Sequence, residues 1–400
     1  MSAISDRMSP AERRVGASLA SIFALRMLGL FLILPVFSAH AASIPGGGNL
    51  LLVGLALGAY GLTQALFQIP FGIASDLVGR KPVIVTGLLL FAVGSFVAAW
   101  APDLHWVIAG RVLQGMGAIS AAVTALAADL TREEHRTKVM AMIGSSIGLV
   151  FALSLVGAPL LYGWVGLSGL FVLTGVLALA AIGLLLKTVP AVPRPAGHVK
   201  LPLRKVLADP ALLKLNFGIG TLHMIQMAMF VVLPQALLHR GGLAAAEHWK
   251  VYLPAVVASF AFMVPAIIAA ERRDQMRPVF LAAVGLTALV QGGLFLFSDS
   301  LLALGVWLLL FFVAFNILEA TLPSLVSRTA PAAAKGAALG VYNTTQAVGL
   351  FVGGALGGYI AQHFGDNAVF SACAVLALLW LAVAATMKFP RRAAPAGQTV

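Results

Sequence analysis

Residues 71–83 read Phe71-Gly-Ile-Ala-Ser-Asp76-Leu-Val-Gly79-Arg80-Lys81-Pro-Val83, and this stretch decides the fold. It holds an acid, two bases and two glycines between two long apolar runs, in a chain of which only 10% is charged. Charge at this density is expelled from hydrocarbon, so the stretch marks a membrane edge where one span ends and the next begins. Gly72 and Gly79 let backbones approach and turn tightly. Asp76 closes the first of these spans, and Arg80 and Lys81 fill the short loop. An acid and a base four residues apart can pair across a helix turn. The loop can also reach an acid on a neighbouring span, and Asp129, at the same end of the fourth span, is the natural partner.

Working outward, the chain has 400 residues, 60% of them hydrophobic, more than a soluble domain could cover with polar surface. Long apolar runs recur, each able to cross roughly 30 Å of hydrocarbon. Twelve are expected: 16–39, 50–75, 82–100, 104–128, 138–161, 166–188, 211–238, 248–270, 278–297, 301–327, 336–361 and 367–388. Short connections make them one all-α integral membrane bundle. The single Cys373 lies in the last run, so no disulfide framework, Cys-based metal site or other metal centre is expected. No phosphate-binding loop of the Walker type occurs and no cofactor is expected, which leaves an ion gradient as the energy source.

The net charge of +12 raises the question of nucleic acid, and its distribution answers it. With the N-terminus inside, all but four of the 26 Lys and Arg fall in cytoplasmic segments. The exceptions are Arg240 and Lys250 outside, and Arg26 and Arg111 within spans. That is the positive-inside rule, with both termini cytoplasmic and the basic loops facing anionic lipid. Arg7, Arg13 and Arg14, an apolar run and Ala39-His40-Ala41 imitate a secretory signal. The run is too long for one and carries Arg26 in its middle.

The chain also repeats itself. Phe31-Leu-Ile-Leu-Pro35 returns as Phe230-Val-Val-Leu-Pro234, and Pro70-Phe-Gly-Ile-Ala-Ser-Asp76 as Pro265-Ala-Ile-Ile-Ala-Ala-Glu271. Lys138-x-x-Ala141 returns as Lys335-x-x-Ala338. Three echoes in one order at nearly one offset imply two parallel six-helix halves, 1–188 and 211–390. A basic, proline-rich linker (189–210) joins them and a short polar tail (391–400) follows.

With these residues on the page, the chain resembles the major facilitator superfamily. Gly72-x-x-x-Asp76-x-x-Gly79-Arg80-Lys81 is similar to its motif A, and Arg111-x-x-Gln114-Gly115-x-Gly117 to its motif B. Gly144-x-x-x-Gly148 with Gly157-Ala158-Pro159 resembles motif C of its proton antiporters. Leu77 stands where motif A usually has a base, and Ala158-Pro159 where motif C usually has Gly-Pro. The runs Ser21–Phe31, Gly61–Gly72, Asp129–Glu133 and Phe315–Ser324 are most similar to the YajR-type group among drug-exporter-like members. The resemblance implies a cavity between two pseudo-symmetric halves that rock around it. It also implies that Asp76, Arg80 and Asp129 form a cytoplasmic latch holding the outward-facing state.

Four ionisable residues lie at depth, where they are costly and usually face a cavity: Arg26, Arg111, His223 and Glu319. They fall on spans one, four, seven and ten, the spans that line the cavity in that superfamily. A carboxyl in a partly dry site can bind and release a proton as access alternates, which makes Glu319 the first proton-coupling residue and His223 the second. Arg26 and Arg111 would bias neighbouring groups or bind an anionic group, since arginine does not usefully deprotonate. Each of the four has a plainer reading: a fixed ion pair, a hydrogen-bonded interface histidine, or an arginine tied to backbone carbonyls. Gln64, Gln68, Gln226, Asn316, Asn343 and Gln346 are expected to contact substrate, with Phe67, Phe230 and Phe315 as apolar wall. Such a lining suits small hydrophobic or amphiphilic solutes.

The expected activity is proton-coupled export of such a solute by a monomer in a bacterial inner membrane. Uptake by symport is the alternative. Gly144-x-Ser146-x-Gly148 matches a serine-nucleophile pattern. Its place inside a helix argues for packing instead, as at Gly54/Gly58, Gly349/Gly353 and Gly354/Gly358. A non-transporting scaffold would leave the buried charges without use.

Overall fold

The computed structural model describes residues 8–190, 203–273, 275–331 and 335–389. The expected tail at 391–400 and most of the expected linker, 191–202, lie outside the described residues. Among the described residues every regular element is a helix.

α1 (Pro10–Phe31) begins on a capping box, with Ser9 and Glu12 each accepting the other's backbone N–H. It breaks at Leu32-Ile33 and resumes as α2 (Leu34–Ala41). Pro35, at the second position of α2, has no N–H to give the carbonyl four residues back. α3 (Leu50–Leu77) and α4 (Arg80–Ala99) follow, and Gly79 supplies the turn between them with φ 111°. α5 (Leu104–Met116) and α6 (Ser120–Asp129) form one run interrupted at residues 117–119.

α7 (Glu133–Thr188) has 56 residues and changes direction at Gly166, where φ 65° suits glycine. Its path follows from its neighbours. A Cβ on Gly16 would meet Val139 and Met142, and one on Gly29 would meet Thr174. Gly16 and Gly29 are about 20 Å apart along α1, whereas an unbroken helix from 139 to 174 would measure about 52 Å. The two arms of α7 therefore fold back along α1. The runs expected at 138–161 and 166–188 fall on the two arms either side of Gly166.

The second set of helices comprises the short α8 (Leu203–Ala208), α9 (Pro210–His239), α10 (Trp249–Arg272), α11 (Met276–Leu296), α12 (Leu301–Thr329), α13 (Lys335–Phe364) and α14 (Asp366–Ala385). Ten stretches among the described residues are long and apolar enough to cross a membrane, and one of them is the 51-residue Lys138–Thr188. Leu89, Val93, Leu149, Leu153, Val375 and Leu379 point outward and are exposed, as a lipid-facing surface requires. Trp100, Trp106 and Trp164 are exposed at the helix ends opposite Asp76, where tryptophan favours the membrane interface.

Helices α1–α7 meet α9–α14 most closely at that tryptophan end. A Cβ on Gly54 would sit 2.0 Å from the Gly354 carbonyl oxygen, and one on Gly358 would sit 2.3 Å from that of Leu50. These glycines bring α3 and α13 into backbone contact, the close packing that small residues permit in a membrane. Leu50 N donates to Gln362 Oε1 at 2.7 Å, Ser38 Oγ to Phe230 O at 3.2 Å, and Gln235 Nε2 to Ser38 O at 2.5 Å. Towards the Asp76 end the facing surfaces part. A Cβ on Gly144, Gly148, Gly336 or Gly340 would meet nothing within 4 Å, and Val257, Phe260, Val264 and Ile268 of α10 are exposed. The bundle is closed at the tryptophan end and open at the Asp76 end.

Candidate functional site

α9 and α12 bring His223 and Glu319 together, with His223 Nε2 3.5 Å from Glu319 Oε1. The His223 ring is fixed from three sides. Nδ1 donates to Ile219 O at 3.2 Å, Gln346 Nε2 of α13 lies 2.7 Å from Nε2, and the Phe315 ring packs edge-on at 5.8 Å. A neutral ring that donates through Nδ1 offers Nε2 as an acceptor, which the Gln346 amide fills. Glu319 Oε1 is buried and without a hydrogen-bond partner among the described residues. The Glu319 side chain as a whole is 34% exposed, against 6% for His223. One carboxylate oxygen thus faces the histidine while the rest of the group is reachable. With Nδ1 committed to Ile219 O and Nε2 to Gln346, neither ring nitrogen has a proton to offer Glu319 Oε1. Tyr342, buried on α13, lies within electrostatic reach of Glu319.

The two arginines lie among α1, α3, α4 and α5. Arg111 is held by Ala56 O at 3.2 Å, Leu57 O at 3.5 Å and Gln114 Oε1 at 2.8 Å, and it lies 5.1 Å over the Tyr60 ring. Gln114 in turn donates to Ser95 Oγ at 2.7 Å. Arg111 is thereby an anchor between α5 and α3, its plainer reading. Gly115 makes room for the same contact, where a Cβ would fall 2.0 Å from Thr63 Oγ1, and Gly117 for the contact with α4, where one would fall 2.3 Å from Gly87 O. Arg26 is fully buried, with its guanidinium near the Tyr60 and Phe91 rings at 5.7 and 5.9 Å. Its nitrogens make no hydrogen bond of good geometry among the described residues, and the Tyr60 and Phe91 ring faces lie beside them.

At the Asp76 end, the ends of α3, α4 and α6 converge on Arg80. Its Nε donates to Asp129 Oδ2 at 3.0 Å, its Nη1 to Ser75 Oγ at 2.8 Å, and it is also paired with Asp76. All of these contacts lie within α3–α6. Gly72 rests against Ala121 in ordinary contact, and Lys81 is half-exposed in the first turn of α4. A second charge contact stands nearby, with Arg132 donating to both oxygens of the buried Glu12 at 3.0 Å.

The expected substrate contacts divide. Gln346 belongs to the His223 site, and Asn316 donates to Ser259 Oγ of α10 at 3.0 Å. Gln64, Phe67 and Asn343 are half-buried, while Gln226 is buried. Phe230 is fully buried, packed where its carbonyl accepts from Ser38, and Gln68 is buried with Oε1 unpartnered. A Cβ on Gly144, Gly148 or Gly157 would meet nothing within 4 Å, and Pro159 is buried in α7. Ser146 donates to Ile143 O and Ala20 O, which ties its hydroxyl to α7 and α1 and leaves it no nucleophilic arrangement. Sequence reasoning missed Tyr60, Tyr342 and Phe151; their signal was position, one helix turn from Gln64, Gln346 and Gly148, respectively.

A membrane bundle closed at one end, with an ionisable pair reachable inside it, has the build of a transporter. The sequence matches the Major Facilitator Superfamily over residues 19–354 and 277–399. It is 48% identical over 389 residues to the inner membrane transport protein YajR of Escherichia coli, covering 96% of this chain and 85% of that protein. It is 26% identical over 364 residues to the multidrug resistance protein MdtH of Aeromonas hydrophila, covering 88% of this chain and 89% of that one. Among solved structures, a bacterial homolog of the human lysosomal transporter Spinster, inward-facing and occupied, aligns with a TM-score of 0.77 at 14% identity, over 98% of this chain and 100% of that one. The chain belongs to the major facilitator superfamily. It is a membrane transporter and not an enzyme.

Proposed function

We propose that this transporter exports small hydrophobic or amphiphilic solutes in exchange for protons, from a bacterial inner membrane and as a monomer. In this reading twelve crossings form two six-helix halves with both termini in the cytoplasm, the arms of α7 counting as two crossings. The Asp76 end is then cytoplasmic, the described conformation is inward-facing, and the Asp76–Arg80–Asp129 cluster expected to latch the outward-facing state is paired in this one too, entirely within α3–α6. The carrying observation is the His223–Glu319 pair, with one buried carboxylate oxygen that lacks a donor and a carboxyl otherwise within reach. Protonation of Glu319 removes a charge, so the bundle can close over it. Loss of the proton restores a charge that favours the hydrated, open form. The exposed apolar residues of α10 and the half-buried Phe67 support an amphiphilic cargo.

The test is transport by purified protein in liposomes under an imposed pH difference, using lipophilic cationic and neutral dyes. Native protein should move dye and protons in opposite directions, and Glu319→Gln should break the coupling. Dye and protons moving together would replace export with symport, and a variant that couples like native would remove Glu319 from the mechanism.

A further inference from the structure

Most aromatic rings in this bundle pack among helices of one set. Phe151 does not. It sits on α7, yet its ring lies 5.6 Å from Phe315 and 6.3 Å from Phe312, both on α12. From its own set, Phe31 meets it edge-on at 5.1 Å, at the break between α1 and α2. Phe311 stacks on Phe315 at 5.7 Å behind them. Phe151, Phe312 and Phe315 are buried, and together with Phe31 they fill the space where the two sets of helices meet.

The position of this cluster matters more than its size. Gly144, Gly148 and Phe151 share one face of α7 by helical spacing. The two glycines look into open space, whereas Phe151 is packed. The face therefore passes from open to closed within one turn, and Phe151 is the residue at the change. On α12, Glu319 lies one turn from Phe315 towards the open end, about 6 Å along the axis. The rings are thus the layer next to the His223–Glu319 pair on its closed side. Phe315 is also the ring that covers the edge of His223.

We propose that Phe151 is the gate of the closed end. With Phe31, Phe312 and Phe315 it plugs the path from the outside to the ionisable pair. Opening that end requires Phe151 to withdraw from Phe312 and Phe315, because the contact joins helices that must separate. The same withdrawal frees Phe315 and uncovers His223, so gate position and proton access change together. Phe315 is a positioning residue in this scheme, acting through His223. The link to protons rests on the function proposed above; the gate itself does not.

The experiment uses the full chain with Cys373→Ser and a reporter, Gly148→Cys, one turn inside the plug where a side chain meets nothing. Spheroplasts are treated from outside with a membrane-impermeant maleimide. Phe151→Ala, and separately Phe312→Ala, should each raise the labelling rate about tenfold or more over the reporter alone. In liposomes without dye, the same variants should leak protons down a pH difference, and adding Glu319→Gln should return the leak to background. Labelling within about twofold of the reporter alone in both variants, each shown to be monodisperse and thermally cooperative, would overturn the gate. Faster labelling with a leak that ignores Glu319→Gln would keep the gate and overturn its link to the proton pair.

Discussion

Gly54→Ala is expected to shift the transporter away from the described conformation, and its effect can be worked out from the seam. The new Cβ would lie 2.0 Å from Gly354 O, where ordinary contact begins at 3.4 Å, so α3 and α13 must part by about 1.4 Å. Neither atom can step aside, since one is on Cα and the other is backbone. The displacement also strains the contacts made by Gly58, Gly61 and Gly358 against Phe351, Ala347 and Leu50. Overpacking of this kind costs about 1–3 kcal/mol. In the alternating access proposed above this end opens, so the cost falls on the closed state alone and the open-to-closed ratio rises by about 5–150-fold. The assay places spin labels at Ala42 and Phe364, both exposed at the closed end on opposite sets of helices, in a Cys373→Ser background. Gly54→Ala should gain a longer-distance population at their expense. Gly144→Ala should not, since its Cβ meets nothing within 4 Å. An unchanged distance distribution with native transport would refute the claim that the glycine seam holds this end shut.

Three further outcomes follow from local geometry. Gly79→Ala forces a side chain onto φ 111° and should cost about 1–3 kcal/mol, read as a lower midpoint of thermal unfolding, whereas Gly48→Ala, with open space around it, should cost little. Arg111→Lys loses the fork that spans Ala56, Leu57 and Gln114 and should lower stability by about 1–3 kcal/mol while dye transport stays proton-coupled, as liposome flux would report. Asp129→Asn leaves Arg80 with Asp76 and Ser75 and, in a part-exposed cluster, should cost no more than about 1 kcal/mol in the unfolding transition.

Much of this molecule is legible in its sequence because the bilayer restricts the options. Apolar runs of membrane length must be helices, since lipid offers no partner for a free backbone group. Charges at the ends of adjacent spans must meet across a short loop, which is why Asp76, Arg80 and Asp129 could be grouped from spacing alone. Small-residue patterns announced close packing, yet nothing in Gly54-x-x-x-Gly58 says that its partner is Gly354. His223 and Glu319 stood out as ionisable groups at depth. Their pairing depends on how α9 and α12 are rotated, a tertiary property that spacing does not encode. The same limit explains Phe151, one aromatic among 23 phenylalanines, whose cross-set contact gives no local sign. Gly166 is a subtler case: the sequence marks only a short gap between two apolar runs, and the chain reverses at the positive φ of that one glycine.

The central claim is that Glu319 takes up and releases a proton beside His223. Infrared difference spectra of the purified native protein, recorded between alkaline and acid buffer, test it without any need to know the substrate. A protonated-carboxyl band that appears on acidification and is missing in Glu319→Gln is the predicted result. The same band persisting unchanged in Glu319→Gln would contradict the account.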